Sequence, residues 1–234
     1  MDEIAERVQA IRGRIDDACI AAGRPLGSVE LLPVSKTRPA ASVLAAYAAG
    51  CRRFGENKAQ EAQAKALELA GTPGLAWVMI GHLQSNKAKL VAEFASEFQG
   101  LDSLPLAAEL ERRLQAAGRR LDVLIQVNSS GEDSKFGLPP SEVAAFASAL
   151  APFDALRVRG LMTLALPSPD ATQVGACFER VRDVQRSLRD AAVPGQSYDE
   201  LSMGMSGDFE LAIAHGATVV RIGTAIFGPR SPVT

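Results

Sequence analysis

Residues 29–40 read VELLPVSKTRPA, and they contain the first unit of a pattern that the chain then repeats. The apolar run 29–34 is typical of a buried strand. Lys36 follows this run, and Pro39 precedes an alanine-rich stretch that favours a helix. A lysine at the carboxyl end of a buried strand is partly desolvated, which favours its neutral, nucleophilic amine. Such an amine suits Schiff-base chemistry, and the alternative from this stretch alone is a lysine that extends into solvent.

Strand and helix patterns alternate after this first unit. The predicted strands are 29–34, 51–54, 76–80, 98–101, 121–127, 158–164, 200–203 and 218–222. Eight strands that alternate with helices in 234 residues predict a single (β/α)8 TIM barrel domain, with an extra N-terminal helix over 2–22. The alternative is an open doubly wound sheet, but Ser-Lys-Thr-Arg stands where that fold usually has a glycine-rich turn.

Composition narrows the class of protein. The formal net charge of -2 argues against a dedicated nucleic-acid binder. The start of the chain does not resemble a signal peptide, and no run of eighteen apolar residues predicts a membrane span. Cys19, Cys51 and Cys177 are far apart, so we expect free thiols in a reducing cytoplasm. Two isolated histidines, His82 and His215, predict no metal site.

The carboxyl ends of all barrel strands open on one face, where barrel enzymes carry their active sites. Polar residues that follow or end the predicted strands should therefore meet there. These residues are Lys36, Asn57, His82, Asn128, Ser129, Lys135, Thr163 and Arg221.

The last two strand ends predict an anion site. SMGMSGD leads into a helix predicted over 207–215, with Ser206 as its N-cap, and a helix N-terminus attracts anions. RIGT ends the eighth strand, where Gly223 allows backbone amides to approach a ligand closely. Because barrels often bind phosphate after strands seven and eight, Ser206, Gly207, Gly223 and Thr224 are a candidate phosphate site. The alternative is that Ser206 only caps a helix and Gly223 only forms a tight turn.

A strand-end amine and a phosphate site indicate a phosphorylated carbonyl ligand. Pyridoxal 5′-phosphate (PLP) and a sugar phosphate both fit this description. Arg221 lies two residues before Gly223, so its side chain should share that residue's side of the strand. A buried arginine needs a polar partner, which could be a pyridine nitrogen or a carboxylate inside the barrel.

Six motifs extend this pattern over residues 29–228: VSKTRP, FGENKAQEA, WVMIGHLQSNKAK, SKFGL, VRGLMTL and SMGMSGDFELAIAHGATVVRIGTAIFG. Together they resemble the YggS/PROSC family of PLP-binding, PLP-homeostasis proteins, which share the alanine racemase barrel, PLP fold type III. The chain departs from the usual family pattern at Lys58, Val78 and Phe136.

The resemblance implies roles for individual residues. Lys36 would carry PLP as an aldimine, and Asn57 would line the cofactor site. Ser206, Gly207, Gly223 and Thr224 would hold the phosphate, and Arg221 would face the pyridine nitrogen. The resemblance also implies a cytoplasmic monomer that passes PLP to apo-enzymes.

The residues themselves favour a carrier over an enzyme. PLP catalysis works best when a carboxylate pairs with the protonated ring nitrogen, whereas a guanidinium only donates hydrogen bonds. Two-base racemisation also needs a second acid or base, and Tyr47 and Tyr198 do not lie at a strand's carboxyl end. We therefore expect a non-catalytic PLP-binding protein. The alternatives are a PLP-dependent racemase or decarboxylase, and a Schiff-base aldolase that acts on a sugar phosphate.

Overall fold

Eight parallel strands form the centre of the molecule in the computed structural model, which describes residues 3–132 and 135–229. The hydrogen-bonded order is β1-β8-β7-β6-β5-β4-β3-β2. The bridge between Val34 and Gly55 joins β1 to β2 and closes the ring. The predicted (β/α)8 barrel is therefore confirmed. The strands are β1 Glu30–Pro33, β2 Arg53–Glu56, β3 Ala76–Met79, β4 Glu97–Leu101, β5 Leu121–Val127, β6 Leu156–Thr163, β7 Glu200–Ser202 and β8 Val219–Ile222.

Helices surround the barrel and bury their apolar faces against it. They are α1 Glu3–Ala21, α2 Ala40–Ala48, α3 Ala59–Glu68, α4 Ala88–Phe94, α5 Leu104–Ala116, α6 Val143–Ala149, α7 Ala171–Ala191, α8 Phe209–Ala214 and α9 Thr224–Phe227. The predicted first residue of the N-terminal helix, Asp2, lies outside the described residues. Helix α1 buries Val8, Ile11, Ile15 and Cys19, and it packs against α2, α8 and α9. It therefore covers the side of the barrel next to β1 and β8.

Two differences from the predicted bounds affect the cavity. The second strand lies two residues later than predicted, because Gly50 adopts φ 90° and the Cys51 amide still donates to Ala46 O at the end of α2. This shift places Glu56 inside β2 and Asn57 directly after it. Helix α8 begins at Phe209 instead of residue 207, because residues 205–208 form a separate turn. Among the described residues, none of the helices has the length and apolar character that a membrane crossing requires.

Candidate functional site

A cavity of about 430 Å³ opens at the carboxyl ends of the strands. Its wall includes all seven residues predicted as a cofactor site: Lys36, Asn57, Ser206, Gly207, Arg221, Gly223 and Thr224. The volume lies within the range of about 300–1,000 Å³ that is usual for small-molecule sites. The barrel topology therefore brings the strand-end amine and the candidate phosphate site to one cavity.

Lys36 lies in a turn directly after β1 and is half-buried. Its neighbour Ser35 is fully buried and donates its backbone N–H to Gly55 O at 2.9 Å. On the other side, Thr37 has φ 63°, a left-handed conformation that a β-branched residue rarely adopts. Such strain persists only when surrounding contacts hold it. The backbone on both sides of Lys36 is therefore held in a defined shape.

A buried ion network supports this turn. The Lys65 ammonium donates to Ser35 O at 2.7 Å, to Glu56 Oε1 at 2.6 Å and to Glu61 Oε1 at 2.8 Å. Ser35 Oγ also donates to Glu56 Oε1 at 2.6 Å, and the Thr37 amide donates to Glu61 Oε1 at 2.5 Å. Burial raises the pKa of Glu56, while hydrogen bonds from Lys65 and Ser35 oppose that shift. The sequence prediction missed this network, although Glu61 and Lys65 have the i, i+4 spacing of a helical ion pair.

The candidate phosphate site consists of loops after β7 and β8. In the described part of the chain, the backbone N–H groups of Ser206, Gly207, Gly223 and Thr224 donate to no protein acceptor. The hydroxyls of Ser206 and Thr224 have no hydrogen-bond partner among the same described residues. Ser206 and Gly207 project from a turn that Asp208 Oδ1 holds by accepting the Met205 amide at 2.6 Å. Convergent unpaired donors of this kind suit an anion.

The predicted N-cap role of Ser206 is wrong. The N-cap of α8 is Asp208, because the turn at 205–208 separates Ser206 from the helix. The sequence prediction also missed α9, a single turn that begins at Thr224 after its N-cap Gly223. Barrel phosphate sites commonly use the N-terminus of such a short extra helix after strand eight. The donors of Thr224 therefore belong to a helical turn rather than to an irregular loop.

Gly204 allows the loop after β7 to lie close to α8. It has φ 93°, and a Cβ there would lie 2.6 Å from the Ala212 Cβ. Gly207 differs, because a Cβ there would meet no atom within 4 Å. The first glycine is needed for packing, whereas the second leaves open space beside the cavity.

Arg221 lies at the inner wall of the cavity and is 4% exposed. It donates to Ser202 Oγ and to Thr163 O, both at 2.7 Å. In the described residues these two bonds use two of its five N–H donors, and no carboxylate forms a hydrogen bond with it. Burial lowers the pKa of Arg221 to about 10, and Asp208 opposes that shift. The alternative in which a barrel carboxylate pairs with Arg221 is therefore wrong.

A column of polar side chains continues from Arg221 through the barrel interior. Ser202 Oγ donates to Gln99 Oε1 at 2.6 Å, and Gln99 Nε2 donates to Glu97 Oε1 at 2.5 Å. Glu97 in turn pairs with Arg53 at the opposite end of the barrel. Burial raises the pKa of Glu97 to about 7, while Arg53 and Gln99 oppose that shift.

We expect Glu97→Gln to flatten the pH dependence of stability between about pH 4.5 and 7. The folded state binds the Glu97 proton more tightly than the unfolded state, so the free energy of unfolding should fall as pH rises through this window. The contribution of Glu97 is on the order of 3 kcal/mol. Urea unfolding at several pH values measures it. Glu109→Gln is the control, because hydrogen bonds from Arg112 and Arg113 lower the pKa of Glu109 to about 2, so this residue titrates below the pH window of Glu97. If the free energy of unfolding changes equally with pH in wild type and Glu97→Gln, the raised pKa of Glu97 is contradicted.

Several predicted carboxyl-end residues do not line the cavity. His82 is exposed and stacks on Phe136, with ring centroids 4.0 Å apart. Lys135 pairs with Glu132 and donates to Ala165 O at 3.2 Å. Asn128 bonds within its own loop, whereas Ser129 and Thr163 bond to each other between the ends of β5 and β6. The departures Lys58, Val78 and Phe136 are also absent from the described cavity wall.

Arg38 lines the cavity, although the sequence prediction did not include it. Its NH2 group donates to Gly228 O at 2.5 Å and to Pro229 O at 2.7 Å. These bonds join the turn after β1 to the segment after α9. Its position two residues after Lys36 is the sequence feature that could have predicted Arg38 as a cavity residue. The remaining wall is mostly apolar and includes Val34, Ile80, Met162, Leu164 and Phe227.

Known proteins are similar to this chain in sequence and in fold. A family model described as alanine racemase, N-terminal domain, matches residues 7–231. The pyridoxal phosphate homeostasis protein of Pseudomonas aeruginosa is 45% identical over 230 residues, which cover 98% of this chain and 97% of that protein. The Escherichia coli K12 protein of the same name is 42% identical over 232 residues, which cover 98% of each chain. The chain belongs to the family of pyridoxal phosphate homeostasis proteins.

Solved structures of this family include PipY of Synechococcus elongatus with PLP bound. That structure superposes with a TM-score of 0.84 at 38% identity, and the match covers 96% of this chain and 100% of PipY. The resemblance to a PLP homeostasis family is therefore confirmed, as is the alanine racemase-like barrel.

Proposed function

We propose that this chain is a PLP-binding protein of PLP homeostasis, which holds the cofactor through Lys36 and releases it without catalytic turnover. The observation that carries the proposal is the single cavity that contains Lys36, Arg221 and the unpaired donors of the loops after β7 and β8. Relatives at 42–45% identity are named for PLP homeostasis, and PipY has been solved with PLP bound. These findings support PLP as the ligand of this chain.

The residues present fit PLP group by group. When bound, PLP supplies an aldehyde, which forms a C=N bond with a primary amine and loses its oxygen as water. Lys36 supplies that amine at one side of the cavity. Ser206, Gly207, Gly223 and Thr224 supply donors for the phosphate, and Asn57 also lines the cavity. The spare N–H groups of Arg221 supply a donor for the pyridine nitrogen.

The same residues favour holding over catalysis. A guanidinium that donates to the pyridine nitrogen keeps that nitrogen unprotonated, which weakens the electron sink that PLP enzymes use. In the described part of the chain, the cavity wall contains no Asp, Glu, His or Tyr that could act as a second acid or base. Met205 and Gly207 in the loop after β7 are exposed and line the cavity, which supports exchange of the cofactor with free amines. The three buried, free cysteines fit a reducing compartment such as the cytoplasm.

A titration with PLP tests the proposal. We expect a visible absorption band that saturates with PLP, weakens with inorganic phosphate as competitor, and disappears when an amine removes the cofactor. We also expect no steady turnover of L- or D-amino acids. Protein that shows no saturable band would contradict PLP binding. Turnover that depends on Lys36 would instead favour the racemase or decarboxylase alternative.

We expect Gly207→Ala to weaken PLP binding about fivefold, or about 1 kcal/mol, with little change in stability. The added methyl meets no protein atom within 4 Å, so the free protein should tolerate it. It nevertheless reduces the space beside the amide that we assign to the phosphate. Gly71→Ala is the matched control, because a Cβ at Gly71 also meets open space but lies outside the cavity wall. Equal PLP affinities for the two variants would contradict a phosphate site at Gly207.

A further inference from the structure

The turn that carries Lys36 is held mainly by side chains from β2 and α3. Ser35 is bonded at its amide, its carbonyl and its hydroxyl, and Thr37 is bonded at its amide. Lys65 and Glu61 supply two of these bonds, one on each side of Lys36. The residue that we assign to the cofactor therefore lies between two anchored neighbours.

Lys65 is the centre of this arrangement. A lysine ammonium has three N–H donors, and here Ser35 O, Glu56 Oε1 and Glu61 Oε1 accept all three. Its side chain is 8% exposed, so solvent competes little with these bonds. Loss of the ammonium would remove a hydrogen bond to the Ser35 carbonyl and leave the Glu56 and Glu61 carboxylates without the cation they share.

The strained backbone at Thr37 is also linked to Lys65. Thr37 keeps φ 63° while its amide donates to Glu61 Oε1, the oxygen that Lys65 also contacts. The Arg38 amide donates to Ser35 O at 3.0 Å, so one carbonyl joins the turn to Lys65. Without Lys65 to neutralise and orient Glu61, the turn could relax towards an ordinary backbone conformation. The direction of Lys36 would then change.

We infer that Lys65 is a positioning residue, which acts through Ser35 and Glu61 to direct Lys36 at the cofactor aldehyde. This inference rests on the proposed function. It assigns Lys65 no contact with the cofactor, because Lys65 does not line the cavity in the described residues. Its effect should therefore be confined to the covalent part of binding, while the phosphate donors on the other side of the cavity keep their geometry.

Two ligands separate covalent from non-covalent binding. PLP has the aldehyde that Lys36 attacks, whereas pyridoxine 5′-phosphate has an alcohol there and uses only the ring and phosphate contacts. We expect Lys65→Met to weaken PLP binding about tenfold and to leave pyridoxine 5′-phosphate binding within about twofold of wild type. Equilibrium titrations of purified protein, by visible absorption for PLP and by calorimetry for the alcohol, measure both.

Two further variants keep the test decisive. Lys65→Met leaves the buried Glu56 carboxylate without its cation, which could unfold the protein. The double variant Glu56→Gln with Lys65→Met removes the Lys65 cation together with the buried Glu56 carboxylate. It should stay folded and lose affinity for PLP but not for pyridoxine 5′-phosphate. Lys89→Met is the control, because it makes the same change at an exposed lysine of α4 and should bind both ligands like wild type.

The outcomes are distinct. A folded variant that loses both ligands equally, or neither, would overturn the positioning role of Lys65. Wild-type protein that binds neither ligand would instead overturn the proposed function, and the inference with it. Selective loss of PLP in Lys65→Met and in the double variant, with Lys89→Met unchanged, is the result expected.

Discussion

Lys36→Ala is expected to abolish the visible absorption band of bound PLP and to weaken PLP binding by about a hundredfold, or about 2.7 kcal/mol. The substitution removes the only amine that the described residues place on the cavity wall. It leaves the donors of Ser206, Gly207 and Thr224 in place, so pyridoxine 5′-phosphate should bind as it does to wild type. Spectroscopic titration with PLP and calorimetry with the alcohol measure the two effects.

Lys58→Ala and Lys135→Ala provide matched controls for this experiment. Both residues are lysines in the motifs that resemble the family, and neither lines the cavity in the described residues. Lys58 is exposed at the start of α3, and Lys135 pairs with Glu132. Both variants should keep the band. A band that persists in Lys36→Ala and disappears in either control would move the covalent site to that lysine.

Arg221→Glu is expected to raise PLP-dependent exchange of an amino acid's α-proton above the wild-type rate. A carboxylate beside the pyridine nitrogen favours the protonated ring, which is the better electron sink. With PLP bound, we expect exchange of the α-proton of alanine with deuterated solvent to rise at least about tenfold, equal to about 1.4 kcal/mol of barrier. Nuclear magnetic resonance of alanine in deuterium oxide measures the exchange rate.

The control for this variant is Arg221→Met, which removes the cation without adding an acid. In wild type, Arg221 donates to Ser202 and Thr163, so both variants need an unfolding measurement to show that the barrel remains intact. Arg221→Met should stay close to the wild-type exchange rate. If wild type already exchanges as fast as Arg221→Glu, then Arg221 does not suppress catalysis and the carrier assignment loses its main physical support.

Much of the barrel could be predicted from the sequence, because buried parallel strands are mostly apolar and are separated by helical patterns. The predicted strand 121–127 and the observed β5 Leu121–Val127 coincide for this reason. Barrel topology also predicts which residues meet in the cavity, because Lys36, Asn57 and Arg221 all lie at or near the carboxyl ends of strands. Their chemical roles remain predictions.

Other features depend on contacts that a linear pattern does not contain. Ser206 has the residue type of an N-cap, but the bond from the Met205 amide to Asp208 forms a turn and moves the helix start to Phe209. Helix α9 has four residues, which is too short for a helical period to be recognised. Lys65 looks like one half of a surface ion pair until folding brings the turn after β1 against α3.

Reduction of the PLP-loaded protein with sodium borohydride, followed by protease digestion and mass spectrometry, tests the central claim most directly. Borohydride converts the reversible C=N bond into a stable amine and so marks the lysine that holds PLP. We expect one label per chain, on the peptide that contains Lys36. A label on any other lysine, or PLP that binds without leaving a label, would contradict the claim that Lys36 holds the cofactor.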